Sequence, residues 1–384
     1  MQRHFPVTGI SFLCGETSWD AFSSRPFASF DSASLAFLKE LSSALMGLSK
    51  SQPNLASLGF FIRPNAVLSQ KRRLAAEQSI GRGLSFHLSP SNVATVAVYS
   101  WVTSLLAGCP SIVRLSSRIT DEQAILLSTL SNVLVDHPQV RDRVRFVQYP
   151  HSDELNQRFS ELSANRVMWG GDKTLEVFQR YSVGEEVNDL CFADRRSYAI
   201  VDLDYWSALK ENEQLSLLSG IAVDIATYGQ KACSSPILVL TMGDVELVDE
   251  FFIKLSTLLS NVEPSFPNVI EQQISTQLLS LKQPELRLKR FGNWQVCELP
   301  VPILAKGVKP ENGHLLHWHA QKGAIESFGF SAAPQTCVML CDKEDRAQLK
   351  KRSLADRFVS PGQALVHDWV WDGIDLIAEQ TDRK

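Results

Sequence analysis

The sequence predicts a parallel, doubly wound α/β fold, and three observations carry that expectation. From about residue 80, short apolar runs alternate with helical patterns of ten or more residues, as in strands joined by crossover helices. One such run, "PILVLTM" (236–242), is apolar but for Thr241 and reads as a strand buried within a sheet. The chain of 384 residues is 44% hydrophobic and 21% charged, an ordinary balance for a protein with a well-buried core and room for two domains.

The elements follow in order. Up to about residue 80, a helical pattern ("SASLAFLKELSSALMGLSK") is set among polar connections. Then come "GLSFHL" as a strand, "NVATVAVYSWVTSLLAG" as a helix and "SIVRLS" as a strand. "DEQAILLSTLSNVLVDHP" is a helix with an acidic first turn, which suits the positive end of its dipole. "VRFVQYP", "SDELNQRFSELS" and "NRVMWGG" continue as strand, helix and strand. A second unit opens near "RSYAIVDLD" (196–204) and runs through the helix "QLSLLSGIAVDIATYG" and the strand "PILVLTM". Beyond them lie the helix "DVELVDEFFIKLSTLLSNV" and a mixed region with the strand "TCVMLC". The C-terminal "RFVSPGQALVHDWVWDGIDLIAEQT" is too apolar for a loose tail, so Trp369, Trp371 and Ile374 should dock on this chain or on a neighbouring subunit.

Several classes of function are disfavoured. A net charge of −4, with no basic tail, gives no reason to expect nucleic acid. From Gly83 to Val113 there is no Asp, Glu, Lys or Arg, but His87, Pro90, Asn92 and Pro110 make this a buried strand–loop–helix–strand unit and no membrane span. The N-terminus shows no secretory pattern, so a cytoplasmic protein is expected. Seven scattered cysteines (14, 109, 191, 233, 297, 337 and 341) without a CxxC pair fit free thiols in a reducing compartment. His314, His317 and His319 in "HLLHWH" lack both the H-E-x-x-H arrangement and a cysteine close in sequence, and no metal is expected.

Four local patterns are candidates for chemistry. In "YGQKACSSP", Cys233 lies between a helix and a buried strand, two residues after Lys231 and before Ser234 and Ser235. A nearby cation favours a thiolate, and small neighbours let backbone amides face an oxyanion; a packed, inert core thiol is the alternative. In "SPSNVAT", Ser91 and Asn92 suit a helix N-cap, and Asn92 also suits an amide donor. "IVRLSSR" ends a strand with Arg114, Ser116, Ser117 and Arg118, fit for ribose or phosphate or simply a polar loop. "WGGD" puts Gly170 and Gly171 after a strand, where backbone can approach phosphate, although no G-x-G-x-x-G or Walker A sequence is present. In doubly wound sheets ligands bind beyond the carboxyl ends of strands, where Asn92, Arg114–Ser117 and Gly170–Gly171 should fall.

Together, "FHLSPSNVATVAVYSW", "LLAGCPSIVRLSSR", "VMWGGDKTLEVF", "FADRRSYAIVD", "YGQKACSSP" and the C-terminal "RFVSPGQALVHDWVWDGIDL" resemble, in order, the aldehyde dehydrogenase superfamily. The closer resemblance is to its LuxC-type acyl-CoA reductase branch. It covers most of the chain from about residue 80, and the chain is shorter than typical members. The resemblance implies an aldehyde dehydrogenase-like fold: a nucleotide-binding domain over residues 1–200 with a helical part to 80, a catalytic thiol domain over 201–355, and a C-terminal oligomerisation segment over 356–384. It further implies that Cys233 is the nucleophile and that Asn92, with the Cys233 amide, stabilises the oxyanion. Arg114 stands where the superfamily's cofactor-binding lysine usually stands, and Gly171 lies in the turn beside the cofactor phosphates.

Two departures shape the expected chemistry. Many aldehyde dehydrogenases carry a carboxylate for the ribose hydroxyls where this chain has Ser117, flanked by Ser116 and Arg118; a 2′-phosphate then meets no repulsion, and NADPH is expected over NADH. The general-base glutamate of the "ELGGK"-like segment aligns with Phe192 in "FADRR", which disfavours hydrolysis of an acyl-enzyme and favours its reduction. Glu185 and Glu186 are nearby candidates to replace that base. The expected function is thus NADPH-dependent reduction of an acyl-CoA or acyl-protein to the aldehyde, in a homo-oligomer (dimer or tetramer), with an acyl-protein synthetase as a candidate partner. The alternatives are a redox-independent cysteine acyltransferase or thioesterase, and a non-catalytic scaffold. His87 is a candidate proton carrier or a structural strand residue, and Phe86, Tyr99 and Trp101 line a fatty tunnel or simply pack the core.

Overall fold

The computed structural model describes residues 5, 8–75, 79–90, 92–184, 186–193, 195–260, 266–282, 284–292, 294–299, 314–321, 334–351 and 355–383. The chain forms two compact units, Met1–Asp194 with His367–Lys384, and Arg195–Val366.

The first unit begins with the strands β1 (Ser11–Cys14), β2 (Ser79–Gly81), β3 (Ser85–Leu88), β4 (Ser111–Arg114), β5 (Val144–Gln148), β6 (Asn165–Trp169) and β7 (Asn188–Phe192). Its helices are α1 (Ser32–Met46), α2 (Pro53–Phe61), α3 (Pro64–Arg73), α4 (Val96–Ala107), α5 (Asp121–Val135), α6 (Pro138–Arg141), α7 (Asp153–Leu162) and α8 (Asp172–Gln179). Local chemistry sets their starts. Asp31 accepts the Ala33 N–H at 3.1 Å, Thr120 the Gln123 N–H at 3.2 Å and Ser152 the Leu155 N–H at 3.2 Å. Pro53, Pro64 and Pro138 open three further helices, where a missing N–H costs nothing.

Six strands form one sheet in the order β1-β5-β4-β3-β6-β7. The strands from β3 to β7 run parallel, while β1, contributed by the N-terminal stretch, pairs antiparallel with β5 at the edge. The chain moves outward from β3 through β4 to β5, then returns to place β6 on the other side of β3. The strand order therefore reverses between β3 and β6, which creates the crevice where doubly wound folds bind ligands.

Alternate strand residues feed two layers. Phe86, Leu88, Ile112, Val147 and Met168 pack with Phe159 of α7 and Phe178 of α8. Val113, Phe146 and Val167 pack with α4 and α5 on the opposite face. Helix α4 is apolar nearly all round, and every residue from Ala97 to Ala107 is buried. Gly108 ends it at φ 92°, and a Cβ there would lie 2.2 Å from the Phe27 carbonyl oxygen, so only glycine fits. Phe86, Tyr99 and Trp101 are all buried in this core, against Phe159, Phe61 and Phe37 respectively.

The second unit contains β8 (Ser197–Asp202), β9 (Pro236–Met242), β10 (Arg287–Phe291), β11 (Trp294–Glu298), β12 (His314–Ala320), β13 (Thr336–Leu340) and β14 (Arg357–Val359). Its helices are α9 (Leu203–Ser207), α10 (Glu211–Ala226), α11 (Leu247–Leu259), α12 (Phe266–Lys282) and α13 (Lys343–Lys351). The sheet order is β10-β11-β12-β9-β8-β13-β14, parallel apart from the β10–β11 pair. Every residue of β9 is buried, as expected of a run that is apolar but for Thr241. In this unit Asp224 of α10 is buried and accepts the Gly362 and Ala364 N–H groups at 2.7 and 2.9 Å, which anchors the "SPGQA" loop.

The last residues return to the first unit as β15 (Val370–Trp371), β16 (Ile374–Asp375) and β17 (Thr381–Arg383), the last paired antiparallel with β2. Trp369 stacks on Phe61 with ring centroids 4.1 Å apart, and Trp371 meets Trp169 at 6.1 Å. These tryptophans therefore dock on their own chain. Gln380, fully buried, accepts the Ser85 and Ser104 hydroxyls at 2.9 and 2.5 Å. Among the described residues, no helix is long and apolar enough to cross a membrane.

Candidate active site

In the first unit the predicted cofactor residues gather at one edge of one sheet. β4, β3 and β6 are adjacent and parallel, so their carboxyl ends lie roughly 4.8 Å apart; Arg114 ends β4, Ser89 and Pro90 follow β3, and Gly170–Gly171 follow β6. The Ser89 N–H donates to the Arg114 carbonyl at 3.0 Å, tying the loop to the end of β4. Asn92, ahead of α4, is exposed. It is not the helix cap: α4 begins at Val96 and Thr95 occupies the cap position, so the expected helix start moves almost one turn downstream.

Arg114 is half-buried, with its guanidinium 4.6 Å from the centre of the Tyr149 ring. Its Nε is buried and has no hydrogen-bond partner among the described residues. Burial pushes the Tyr149 hydroxyl well above its usual range, with the Arg114 charge opposing that shift. The turn after β4 is fixed by Gln148, whose Nε2 donates to the Ser116 carbonyl at 2.6 Å, while the Ser116 Oγ accepts the Arg118 N–H at 3.4 Å. Ser117 is exposed beside them. Gly171 caps α8 with extended backbone, φ −68° and ψ 158°. A Cβ at Gly171 would meet nothing within 4 Å and one at Gly170 only the Thr174 side chain at ordinary contact, so neither glycine is demanded by the fold. What they leave is space in front of the first turn of α8.

In the second unit, Cys233 lies at the amino edge of the sheet, just before β9, so the carboxyl-end rule describes the first sheet's candidates and not the thiol. Helix α10 ends at Ala226, and Tyr228, Gly229 and Gln230 follow in left-handed conformations with φ of 57°, 60° and 65°. For the two non-glycine residues this costs about 1–2 kcal/mol each, strain typical of sites that must aim a side chain. The buried Gln230 reaches across the turn, its Nε2 3.4 Å from the Pro236 carbonyl. Inside that span the Ser235 N–H donates to the Ala232 carbonyl at 3.0 Å. The Ser197 Oγ donates to the Cys233 carbonyl at 2.8 Å and accepts the Thr336 N–H at 3.0 Å.

Cys233 is half-buried, whereas Ala232, Ser234 and Ser235 around it are buried. Burial pushes the Cys14 thiol up to about 11 and those of Cys297 and Cys341 up to about 12. It raises those of Cys109, Cys191 and Cys337 as well. A thiol held protonated in this way is a poor nucleophile.

The remaining candidates resolve in physical terms. Phe192 is buried at the end of β7 and stacks on Trp169, centroids 4.1 Å apart and planes 20° apart. Glu186 precedes β7 at its amino end, whereas Phe192 ends the strand; five strand residues separate the two edges, roughly 16 Å. Glu186 therefore stands at the opposite edge of the sheet from Asn92, Arg114 and Gly171, and Glu185 lies outside the described residues. His87 is fully buried, its Nδ1 2.8 Å from Ser100 Oγ and its Nε2 2.9 Å from Ser104 Oγ. Burial lowers its pKa to about 3, so it is neutral and structural. His317 and His319 share the Thr241 hydroxyl at 2.8 and 3.0 Å.

A family model described as acyl-CoA reductase (LuxC) matches residues 66–295, more than half of the chain. This chain belongs to the LuxC acyl-CoA reductase family. It is 30% identical over 165 residues to a long-chain acyl-protein thioester reductase of Aliivibrio fischeri, covering 42% of this chain and 33% of that protein. Long-chain acyl-protein thioester reductase 2 of Photobacterium leiognathi is 26% identical over 192 residues, covering 50% of this chain and 38% of the relative. The matched stretches thus span less than half of these relatives' own length.

Among solved structures, a 1-pyrroline-5-carboxylate dehydrogenase variant of Thermus thermophilus aligns with a TM-score of 0.69 and 12% identity, covering 95% of this chain and 82% of that one. An NADP-dependent glyceraldehyde-3-phosphate dehydrogenase of Bacillus halodurans, complexed with NADP, aligns with a TM-score of 0.65 and 12% identity over 91% of this chain and 85% of that one. At such identity the likeness establishes the aldehyde dehydrogenase fold for this LuxC-family chain. Sequence reasoning missed Ser197 and Gln230, two side chains that hold the Cys233 turn. Ser197 is 36 residues from Cys233, and nothing in "RRSYAIVD" distinguishes it from any serine opening a strand.

Proposed function

We propose that this LuxC-family chain reduces a fatty acyl thioester, presented as acyl-CoA or on a donor protein, to the aldehyde through an acyl group carried by Cys233, with NADPH as reductant. The name of the relatives, long-chain acyl-protein thioester reductase, supports an acyl-protein donor and so an acyl-protein synthetase as partner. The observation that carries the reading is Phe192. Where the resemblance puts the hydrolytic base, an apolar ring lies stacked in the core; Asp189, three residues earlier, is paired with Arg166, and Glu186 is on the far edge of the sheet.

The first unit's residues fit a nicotinamide dinucleotide. The buried Arg114 Nε offers a donor, the open space before Gly171 admits a phosphate to the first turn of α8, and both flank the crevice where strand order reverses. Arg114, Ser116 and Ser117, with no carboxylate among them, favour a 2′-phosphate. When bound, the reduced cofactor supplies the hydride.

In the second unit the Cys233 thiolate attacks the thioester carbonyl, forming a carbon–sulfur bond and an oxyanion; collapse expels the donor thiolate and leaves the acyl group on Cys233. The Cys233 backbone amide is one oxyanion donor, and the family resemblance gives the Asn92 side-chain amide as the other. After reduction at the same carbon, collapse of the second oxyanion breaks the bond to Cys233 and releases aldehyde.

The test is to incubate the protein with palmitoyl-CoA and NADPH and to measure aldehyde, acid and NADPH consumed. Aldehyde equal to NADPH oxidised supports the reading. Acid or acyl transfer with NADPH untouched makes the protein a thioesterase or acyltransferase, and absence of both acyl turnover and NADPH binding makes it a scaffold.

A further inference from the structure

We infer that Ser197 is the positioning residue of the nucleophile's backbone, an inference that rests on the reading of Cys233 as that nucleophile. Two peptide groups flank Cys233, and each is held by its carbonyl. The peptide between Ala232 and Cys233 is held by the Ser235 N–H, at 3.0 Å from the Ala232 oxygen. The peptide between Cys233 and Ser234 is held by the Ser197 Oγ, at 2.8 Å from the Cys233 oxygen. In a trans peptide the N–H points opposite to the C=O, so fixing both carbonyls fixes the directions of the Cys233 and Ser234 N–H groups. These are the backbone donors nearest the sulfur.

The Ser235 contact is local and travels with the turn. The Ser197 contact does not. Ser197 opens β8, is buried, and its hydroxyl also accepts the Thr336 N–H at the start of β13. One oxygen thereby references the Cys233 peptide to two strands of the sheet. The turn needs such a reference because it follows three left-handed residues, where α10 no longer directs the chain. Without the hydroxyl, the Cys233 carbonyl loses this donor and the Cys233–Ser234 peptide can rotate, which turns the Ser234 N–H and leaves Cys233, whose own N–H is the proposed oxyanion donor, anchored on one side only. Ser197 touches no reacting atom and acts entirely through the Cys233 backbone.

The test compares Ser197→Thr with Ser197→Val, which share a shape and differ in the hydroxyl, alongside Ser197→Ala and Cys233→Ser, each in the full chain with folding checked by thermal melt. Single-turnover acyl-enzyme formation from labelled palmitoyl-CoA is measured, with iodoacetamide alkylation of Cys233 as a second readout. Val and Ala should acylate about 10–100-fold more slowly at saturation, the cost of a misplaced group. Their half-saturating substrate concentration and alkylation rate should stay within about threefold of native, and Thr should acylate within about threefold of native. If Ala unfolds, the Thr–Val pair gives the same answer. Native acylation in Val, or equal loss in Thr and Val, overturns the role of the hydroxyl while leaving Cys233 as nucleophile. A Cys233→Ser protein that still acquires acyl label through a thioester overturns the nucleophile assignment itself.

Discussion

Phe192 and Trp169 stack with ring centroids 4.1 Å apart at the carboxyl ends of β7 and β6, closing with hydrocarbon the position that the superfamily resemblance reserves for a hydrolytic carboxylate. Installing the carboxylate should not install the hydrolase. Phe192→Glu buries an ionisable group where desolvation keeps it protonated, so acyl-enzyme hydrolysis should stay at the native level. Phe192→Ala should cost about 3–5 kcal/mol through lost burial and a cavity. Urea unfolding and acid release from palmitoyl-CoA check both outcomes.

Cofactor preference should follow the turn after β4. Ser117→Glu places a carboxylate beside the proposed 2′-phosphate and should weaken NADPH binding about tenfold or more, equivalent to at least about 1.4 kcal/mol, while sparing NADH. Arg114→Ala should weaken both cofactors and also remove the contact with Tyr149, worth about 0.5–1 kcal/mol of stability. Fluorescence titration of the two cofactors reads these effects.

Acid should destabilise the first unit through His87. Its pKa falls from 6.5 to about 3 on folding, so the unfolded chain takes up a proton between those values and the native one does not. The stability it contributes is fully present above pH 6.5 and is lost as pH falls toward 3, at up to about 1.4 kcal/mol per pH unit. His317, lowered to about 3 by burial, acts in the same direction in the second unit. Urea midpoints between pH 7 and pH 4.5 should fall less steeply in His87→Gln than in the native protein.

Thiol reactivity should single out one cysteine. At pH 7.5, iodoacetamide should modify Cys233 first. Cys14, Cys297 and Cys341 should react only as pH approaches 11–12, because burial holds their thiols protonated. Peptide mapping of a partly modified sample checks this order.

What the sequence made legible follows from the range of the interactions. The strands β3, β4, β6 and β9 announce themselves as short apolar runs because a parallel sheet covered on both faces needs them so. The docking of Trp369 and Trp371 was readable from their apolarity, although only the fold shows that Phe61 and Trp169 receive them. Ser91, Asn92 and Thr95 all suit a cap, so the sequence alone does not fix the start of α4, which falls at Val96. Two facts were out of reach. Glu186 falls on the wrong edge only once strand direction is known, and Ser197 meets Cys233 through a hydrogen bond that local spacing does not encode.

The central claim, that Cys233 carries an acyl group destined for reduction, is tested most directly by mass spectrometry of the protein quenched after exposure to palmitoyl-CoA without NADPH. A hydroxylamine-sensitive palmitoyl adduct should appear on Cys233 and should discharge as hexadecanal when NADPH is added. An adduct on another residue, or discharge as palmitic acid at a rate indifferent to NADPH, would contradict it.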